Sequence, residues 1–281
     1  PEAMKSLSLA VCRAGADLGI LFDTDVDRSA AVDAAGREIA RNRIVALAAS
    51  LIATEKEGGI IVTDSVTSDQ LKVFLEEELG FHHLRYQRGY RNVIGKALVL
   101  NAEGQDCPLA IETSGHAAFR ENYFLDDGAY LATKIVIRAA RLKRKGQDIG
   151  SLIEKLREPA EAAEVRIPVL AEGFSVYADG IIQELKTLIG AGACTEENPC
   201  GGRCRCGMEV VEPNYEGIRV SCDKDNGDGW FLLRKSLHEP LLPLNIESNR
   251  PGGCSVIAKK VADLLDVYAA LDLKALRDLG A

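Results

Sequence analysis

The run Leu18-Gly19-Ile20-Leu21-Phe22, followed by Asp23-Thr24-Asp25-Val26-Asp27-Arg28, constrains this chain more than any other segment. The apolar run predicts a short buried strand. Directly after it, three carboxylates alternate along a tight loop, so Asp23, Asp25 and Asp27 turn their oxygens toward one point. Such convergence is costly by like-charge repulsion unless a hard divalent cation shares the point. All-oxygen ligation by few protein groups suits Mg²⁺, which keeps open positions for phosphate oxygens. Arg28 adds a fixed cation suited to bidentate phosphate contact. A solvated acidic turn is the plainer alternative. The regular spacing at the end of an apolar strand favours phosphoryl-transfer equipment instead.

Charge and composition narrow what the loop serves. The chain has 281 residues, is 47% hydrophobic and carries a formal net charge of −8, with pI about 5.2. That suffices for two or more domains and gives no support to a nucleic-acid partner, though a local basic pocket can still hold a small phosphorylated substrate. No apolar run approaches the roughly 20 residues of a membrane span and no signal peptide is visible, so an intracellular, cytoplasmic or organellar protein without a membrane partner is expected. The opening Pro1-Glu2-Ala3-Met4-Lys5 reads as part of a helix continuing to about Cys12, as if the chain began mid-domain. Oligomeric state is not readable.

Cys12, Cys107, Cys222 and Cys254 are scattered like ordinary reduced thiols. Cys194, Cys200, Cys204 and Cys206 cluster without a paired C-x-x-C zinc pattern. They read first as incidental thiols in a Gly-rich insertion and second as a redox-labile disulfide.

Three pieces are predicted: 1–38, 39–167 and 168–281. The first holds a helix, the strand, the acidic loop and a second strand, Ala30–Asp33, turning at Ala34-Ala35-Gly36. The middle piece alternates strands at Gly59–Thr63 and Leu109–Glu112 with helices at Ile44–Ala53, Asp69–Leu79 and Tyr130–Lys143. This implies an α/β layer structure around a mixed sheet. The last reads as a smaller α+β domain with helices on one face of an antiparallel sheet. Its hairpin spans Tyr215 to Arg234 and turns at Asp225–Gly229.

Two further clusters bear on the same chemistry. In Ile111-Glu112-Thr113-Ser114-Gly115-His116, Glu112 and Ser114 suit adjacent sugar hydroxyls, Gly115 permits a tight path, and His116 can reach a phosphate or hydroxyl. In Leu233-Arg234-Lys235-Ser236-Leu237-His238-Glu239-Pro240, Arg234, Ser236 and His238 alternate in a turn able to cradle phosphate. Alone, the first is weak evidence, since a buried, satisfied histidine is the commoner fate, and the second is as consistent with an amphipathic strand.

Taken in order, Asp-x-Asp-x-Asp-Arg, Glu-x-Ser-Gly-His and Arg-x-Ser-x-x-x-Pro resemble the α-D-phosphohexomutases, the phosphomannomutase/phosphoglucomutase family. Ile61–Ser68 and Glu121–Gly128 fit as well. The resemblance implies the end of the family's second domain (1–38), its third (39–167) and its fourth (168–281). It implies Mg²⁺ on Asp23, Asp25 and Asp27, with Arg28 and His116 at the chemistry. Glu112, Ser114 and His116 would hold the sugar, and Arg234, Ser236 and His238 the phosphate not being transferred. A hexose phosphate substrate would pass through a hexose bisphosphate intermediate that reorients between transfers.

Departures accompany the likeness. The family's phosphoserine loop, Thr-Ala-Ser-His-Asn-Pro-like, has no counterpart in these 281 residues, so the chain alone is expected to be inactive. Val66 stands where many members have lysine. Arg88-Gly89-Tyr90-Arg91 stands for a Lys-x-Gly-His element, with Arg88 and Arg91 as replacement cations. An arginine is a poor proton shuttle, which leaves the general base unassigned, with His116 as a contributor. The histidine-ending sugar loop leans toward glucose/mannose use. Alternatives are a sugar-phosphate-binding pseudoenzyme and a haloacid-dehalogenase-like phosphatase; the latter leaves the two downstream loops unexplained.

Overall fold

The computed structural model describes residues 2–192, 203–237 and 239–281, which form two compact units, Pro1–Arg157 and Glu158–Ala281. In the first unit, α1 (Glu2–Ala14) precedes a small antiparallel sheet of β1 (Leu18–Phe22), β2 (Ser29–Asp33) and β3 (Glu38–Ile39), in that order. Strand alternation sends its side chains to two cores. Val32 packs with Met4 and Val11 of α1. Ala31 and Ile39 enter the larger core built around α2 (Asn42–Ala53). The turn after β2 is closed by buried Asp33, whose carboxylate accepts from Ala35 N, Arg37 N and Arg37 Nε at 3.0, 2.9 and 2.7 Å.

The rest of this unit is a three-layer α/β/α arrangement. Its sheet runs β5 (His82–Tyr86), β4 (Ile60–Asp64), β6 (Leu109–Ile111), β7 (Ala117–Phe119), with β5, β4 and β6 parallel and β7 antiparallel. The mixed sheet agrees with the expectation from sequence. Ile61, Leu109, Ile111, Ala117 and Phe119 face α2, α3 (Asp69–Val73) and α5 (Gly128–Lys143). Val62, Ala110 and Ala118 face α4 (Tyr90–Ala102) through Val93, Ala97 and Leu100. α3 starts where Ser68 Oγ accepts from Leu71 N at 2.9 Å, and it widens into a π-helical stretch, Phe74–Glu78. Parallel strands of this kind direct their carboxyl ends, and the loops that follow, to one edge of the sheet.

The second unit has one antiparallel sheet ordered β8 (Glu161–Pro168), β12 (Leu241–Ser248), β11 (Gly229–Leu233), β10 (Ile218–Cys222), β9 (Met208–Val210). Phe231 lies opposite Val220 and Ile246, and Leu233 opposite Ile218 and Leu244. These residues form one apolar face packed against α6 (Phe174–Gly190), α7 (Gly253–Leu265) and α8 (Lys274–Gly280). The strand Glu161–Pro168 is paired along its length with β12, whereas the sequence reading divides the chain at 167/168. Cys194 and Cys200 lie outside the described residues, and among those described every cysteine is a free thiol. No described helix is long and apolar enough to cross a membrane.

Trp230, the only tryptophan, sits in β11, so its fluorescence reports on the second unit alone. Phe231→Ala removes a fully buried ring from that core and is expected to lower the unit's stability by roughly 3–5 kcal/mol. Urea titration followed by Trp230 emission tests this; an unchanged midpoint contradicts the packing described.

Candidate functional site

β1 and β2 pair from Leu18↔Asp33 to Phe22↔Ser29, which leaves residues 23–28 as the connecting loop. Within it, ligand-type oxygens of Asp23, Asp25 and Asp27 lie within 4.8 Å of one another. Val26 is held at φ 64°, a conformation that β-branched residues avoid and that persists only under support from its surroundings. Asp23 accepts from Arg28 N at 3.2 Å and Nε at 2.7 Å, and its Oδ2 lies 2.6 Å from the outer guanidinium nitrogen. Burial raises the Asp23 carboxyl, but the Arg28 hydrogen bonds and charge outweigh it and hold it below the ordinary value.

Asp27 behaves differently. Burial and the charges of Asp23, Asp25 and Asp126 raise its carboxyl, against the attraction of His116. Its Oδ1 is buried without a hydrogen-bond partner among the described residues. That oxygen lies 3.7 Å from Arg28 Nε and beside two more carboxylates, a donor set that fits a hard divalent cation.

The β6–β7 loop meets this acidic loop. Glu112 N donates to His116 O at 2.9 Å and Gly115 N to Glu112 O at 3.0 Å, closing a tight turn with Gly115 at φ 101°. Arg28 and His116 form an antiparallel bridge, so the two loops touch backbone to backbone. Glu112 is buried; its Oε1 accepts from Gly89 N at 2.6 Å and its Oε2 from Ser114 Oγ at 3.2 Å. His116 Nδ1 lies 2.7 Å from Asp126 Oδ2 and 3.7 Å from Asp27 Oδ2. The Tyr90 ring stacks on His116 at 4.9 Å and 23°. Burial lowers the His116 ring, but the Asp126 hydrogen bond and the charges of Asp126, Asp27 and Glu112 outweigh it and hold the ring above its ordinary value. A carboxylate on Nδ1 fixes the ring's orientation and leaves Nε2 as the nitrogen for a ligand.

Asp23, Asp25, Asp27, Arg28, Glu112, Ser114 and His116 are thus brought to one edge of the first unit. Arg88 precedes α4 beside Gly89, the donor to Glu112. Arg91 turns toward its neighbour instead, with Nε 3.1 Å from Tyr90 Oη and its guanidinium 5.7 Å from that ring's centre. Arg234 and Ser236 belong to the second unit, in the β11–β12 connection. Arg234 N donates to Pro243 O and Ser236 N to Leu241 O, both at 3.1 Å, and Ser236 Oγ accepts from Glu239 N at 3.2 Å. His238 lies outside the described residues.

Three residues at this edge escape the sequence reading. Asp126 and Tyr90 hold His116, and Asp64 ends β4 beneath the β6–β7 loop. Asp64 Oδ2 accepts from Thr113 Oγ1 at 2.6 Å and Thr113 N at 3.3 Å, while its buried Oδ1 has no hydrogen-bond partner among the described residues. The acidic pair Asp126-Asp127 ahead of a helix was the one local signal, and it reads equally well as an N-cap, the role Asp127 fills by accepting from Tyr130 N at 2.9 Å.

Burial pushes the Asp64 carboxyl up to about 7; Thr113 and the Arg88 charge oppose this and the Glu112 charge adds to it. The folded unit therefore binds more protons than the unfolded chain between pH 3.8 and about 7, and stability falls as pH rises through that window. Below the window both states are protonated and nothing is lost; above it the full cost, on the order of 4 kcal/mol, is present. Asp64→Asn keeps an acceptor for Thr113 and is expected to remove most of this slope. Urea unfolding of the first unit by circular dichroism at several pH values checks it, and an unchanged slope contradicts the assignment.

Residues 40–159 match the family model for phosphoglucomutase/phosphomannomutase, alpha/beta/alpha domain III. A phosphoglucosamine mutase from Frankia casuarinae is 28% identical over 264 residues, covering 92% of this chain and 48% of that protein. A phosphomannomutase/phosphoglucomutase from Pseudomonas putida is 27% identical over 250 residues, covering 89% and 47%. The crystal structure of a phosphoglucomutase/phosphomannomutase family protein from Burkholderia thailandensis superposes with TM-score 0.71 at 24% identity, covering 96% of this chain and 51% of that one. The chain thus spans about half the length of the curated relatives it matches. Residues 40–159 thus carry the phosphoglucomutase/phosphomannomutase domain III, and the chain as a whole is similar to these hexose-phosphate mutases in sequence and to one of their crystal structures in fold.

Proposed function

We propose that this chain supplies the cation-, sugar- and phosphate-holding parts of a phosphohexomutase, an intramolecular phosphotransferase that interconverts hexose 1-phosphate and hexose 6-phosphate. The observation that carries the reading is the backbone bridge between Arg28 and His116, which seats three converging carboxylates against a loop rich in hydroxyl-reading groups. Asp23, Asp25 and Asp27 would hold Mg²⁺, which when bound supplies Lewis-acid stabilisation of phosphoryl charge.

The chain's own residues do the rest. Each Glu112 carboxylate oxygen already accepts one hydrogen bond and has a second lone-pair position, so the pair can receive two adjacent sugar hydroxyls. Ser114 contributes a hydroxyl beside them, and Arg88 and Arg91 contribute cations. Arg28 neutralises phosphoryl oxygens, and His116, oriented by Asp126, holds or moves a proton at Nε2. In the second unit, Arg234, Ser236 and His238 would hold the phosphate not being transferred. Charge neutralisation and positioning supply most of the catalysis in phosphoryl transfer. A domain boundary at 38/39 belongs to the same reading. The partners are a hexose phosphate and a hexose bisphosphate that reorients between the two transfers.

Asp25→Asn removes one of three charges from the shared cation and is expected to weaken Mg²⁺ binding at least tenfold, about 1.4 kcal/mol, by calorimetry. Equal affinity in wild type and variant overturns the cation loop. No serine loop of the family's kind lies in these 281 residues, so the chain alone is expected to give no glucose 6-phosphate from glucose 1-phosphate, even with glucose 1,6-bisphosphate added. Robust turnover in a coupled assay means that a phosphoryl carrier lies within this sequence.

A further inference from the structure

We propose that Gly115 and Gly128 lock the acidic loop and the sugar loop into one mechanical piece, so that a cation on Asp23, Asp25 and Asp27 sets the geometry of residues 112–116. The inference rests on the cation reading given above and assigns to two glycines a positioning role that neither ligand contact nor chemistry would reveal.

The acidic loop is gripped on two sides. On one, a Cβ at Gly115 would stand 2.7 Å from Ser29 O. On the other, a Cβ at Gly128, the first residue of α5, would stand 2.7 Å from Arg28 C, 2.8 Å from Val26 O and 2.9 Å from Arg28 N. All of these are backbone atoms, which cannot swing aside as a flexible side chain can. Only glycine lets either neighbour come so near, and Gly115 additionally needs its φ of 101°. The grip falls on the stretch around Val26, whose φ of 64° requires outside support.

Polar contacts fasten the same pieces. Ser29 N donates to Gly115 O at 3.4 Å, Arg28 bridges His116, and Asp27 and Asp126 both face His116 Nδ1. Asp127 N donates to Ala117 O at 3.3 Å, tying the start of α5 to β7. Neither loop can shift without displacing the other. Coupling between a cation and the sugar loop is then reciprocal by linkage.

Hydrogen exchange on the 281-residue chain with and without saturating Mg²⁺ tests this directly. Mg²⁺ is expected to slow exchange at Ser29 and also at Glu112 and Gly115 by at least threefold, although the latter two bond only within the sugar loop. Protection confined to residues 23–28 overturns the coupling while leaving the cation reading intact. Gly128→Ala is expected to weaken Mn²⁺ binding at least tenfold and to alter the electron paramagnetic resonance spectrum of bound Mn²⁺, with Trp230 emission unchanged. Wild-type affinity and spectrum in that variant overturn the seat. If the variant does not fold, exchange on the wild type still decides. A wild-type chain that binds neither cation, or binds it equally well after Asp25→Asn, overturns both the cation reading and this inference.

Discussion

Repulsion among like charges is the constraint around which the first unit's working edge is arranged. Asp23, Asp25, Asp27 and Asp126 meet there, opposed by the Arg28 guanidinium and the His116 ring. With the buried Glu112 carboxylate added beside His116, the acids outnumber the cations that face them, an imbalance that a divalent cation offsets. The uneven treatment of the acids follows. Asp23 is satisfied by Arg28, which holds its carboxyl below the ordinary value, whereas Asp27 keeps a buried oxygen without a hydrogen-bond donor among the described residues.

Holding such a cluster in place needs a scaffold that does not move. The parallel strands β4 and β6 end at this edge, and β7 turns back immediately, so the β6–β7 loop is only as long as the turn between them. Cores on both sheet faces fix the strands. They also offset what the edge costs, in the burial of Asp64 and the left-handed Val26. Local strain and a mispaired buried carboxyl are what a site tolerates when its geometry matters more than its stability.

The parts legible in the sequence are those written in local pattern. Leu18–Phe22 with its acidic loop, Leu109–Glu112 and the helices over Ile44–Ala53 and Tyr130–Lys143 show periodicity, and each element is present within a residue or two. β5 was not legible because His82-His83-Leu84-Arg85-Tyr86 is an edge strand with little apolar character. β8 carries Glu161, Glu164 and Arg166 among its apolar residues, and only its pairing with β12 reveals that it belongs to the last sheet. Asp126 on His116 and Tyr90 stacked above it depend on where β7 and α4 return, which no short window of residues encodes.

Crystals of this chain grown with Mn²⁺ and measured at the manganese edge test the central claim most directly. The account predicts one strong anomalous peak about 2.1 Å from carboxylate oxygens of Asp23, Asp25 and Asp27, with His116 still held by Asp126. A peak elsewhere, or none at saturating Mn²⁺, would contradict it.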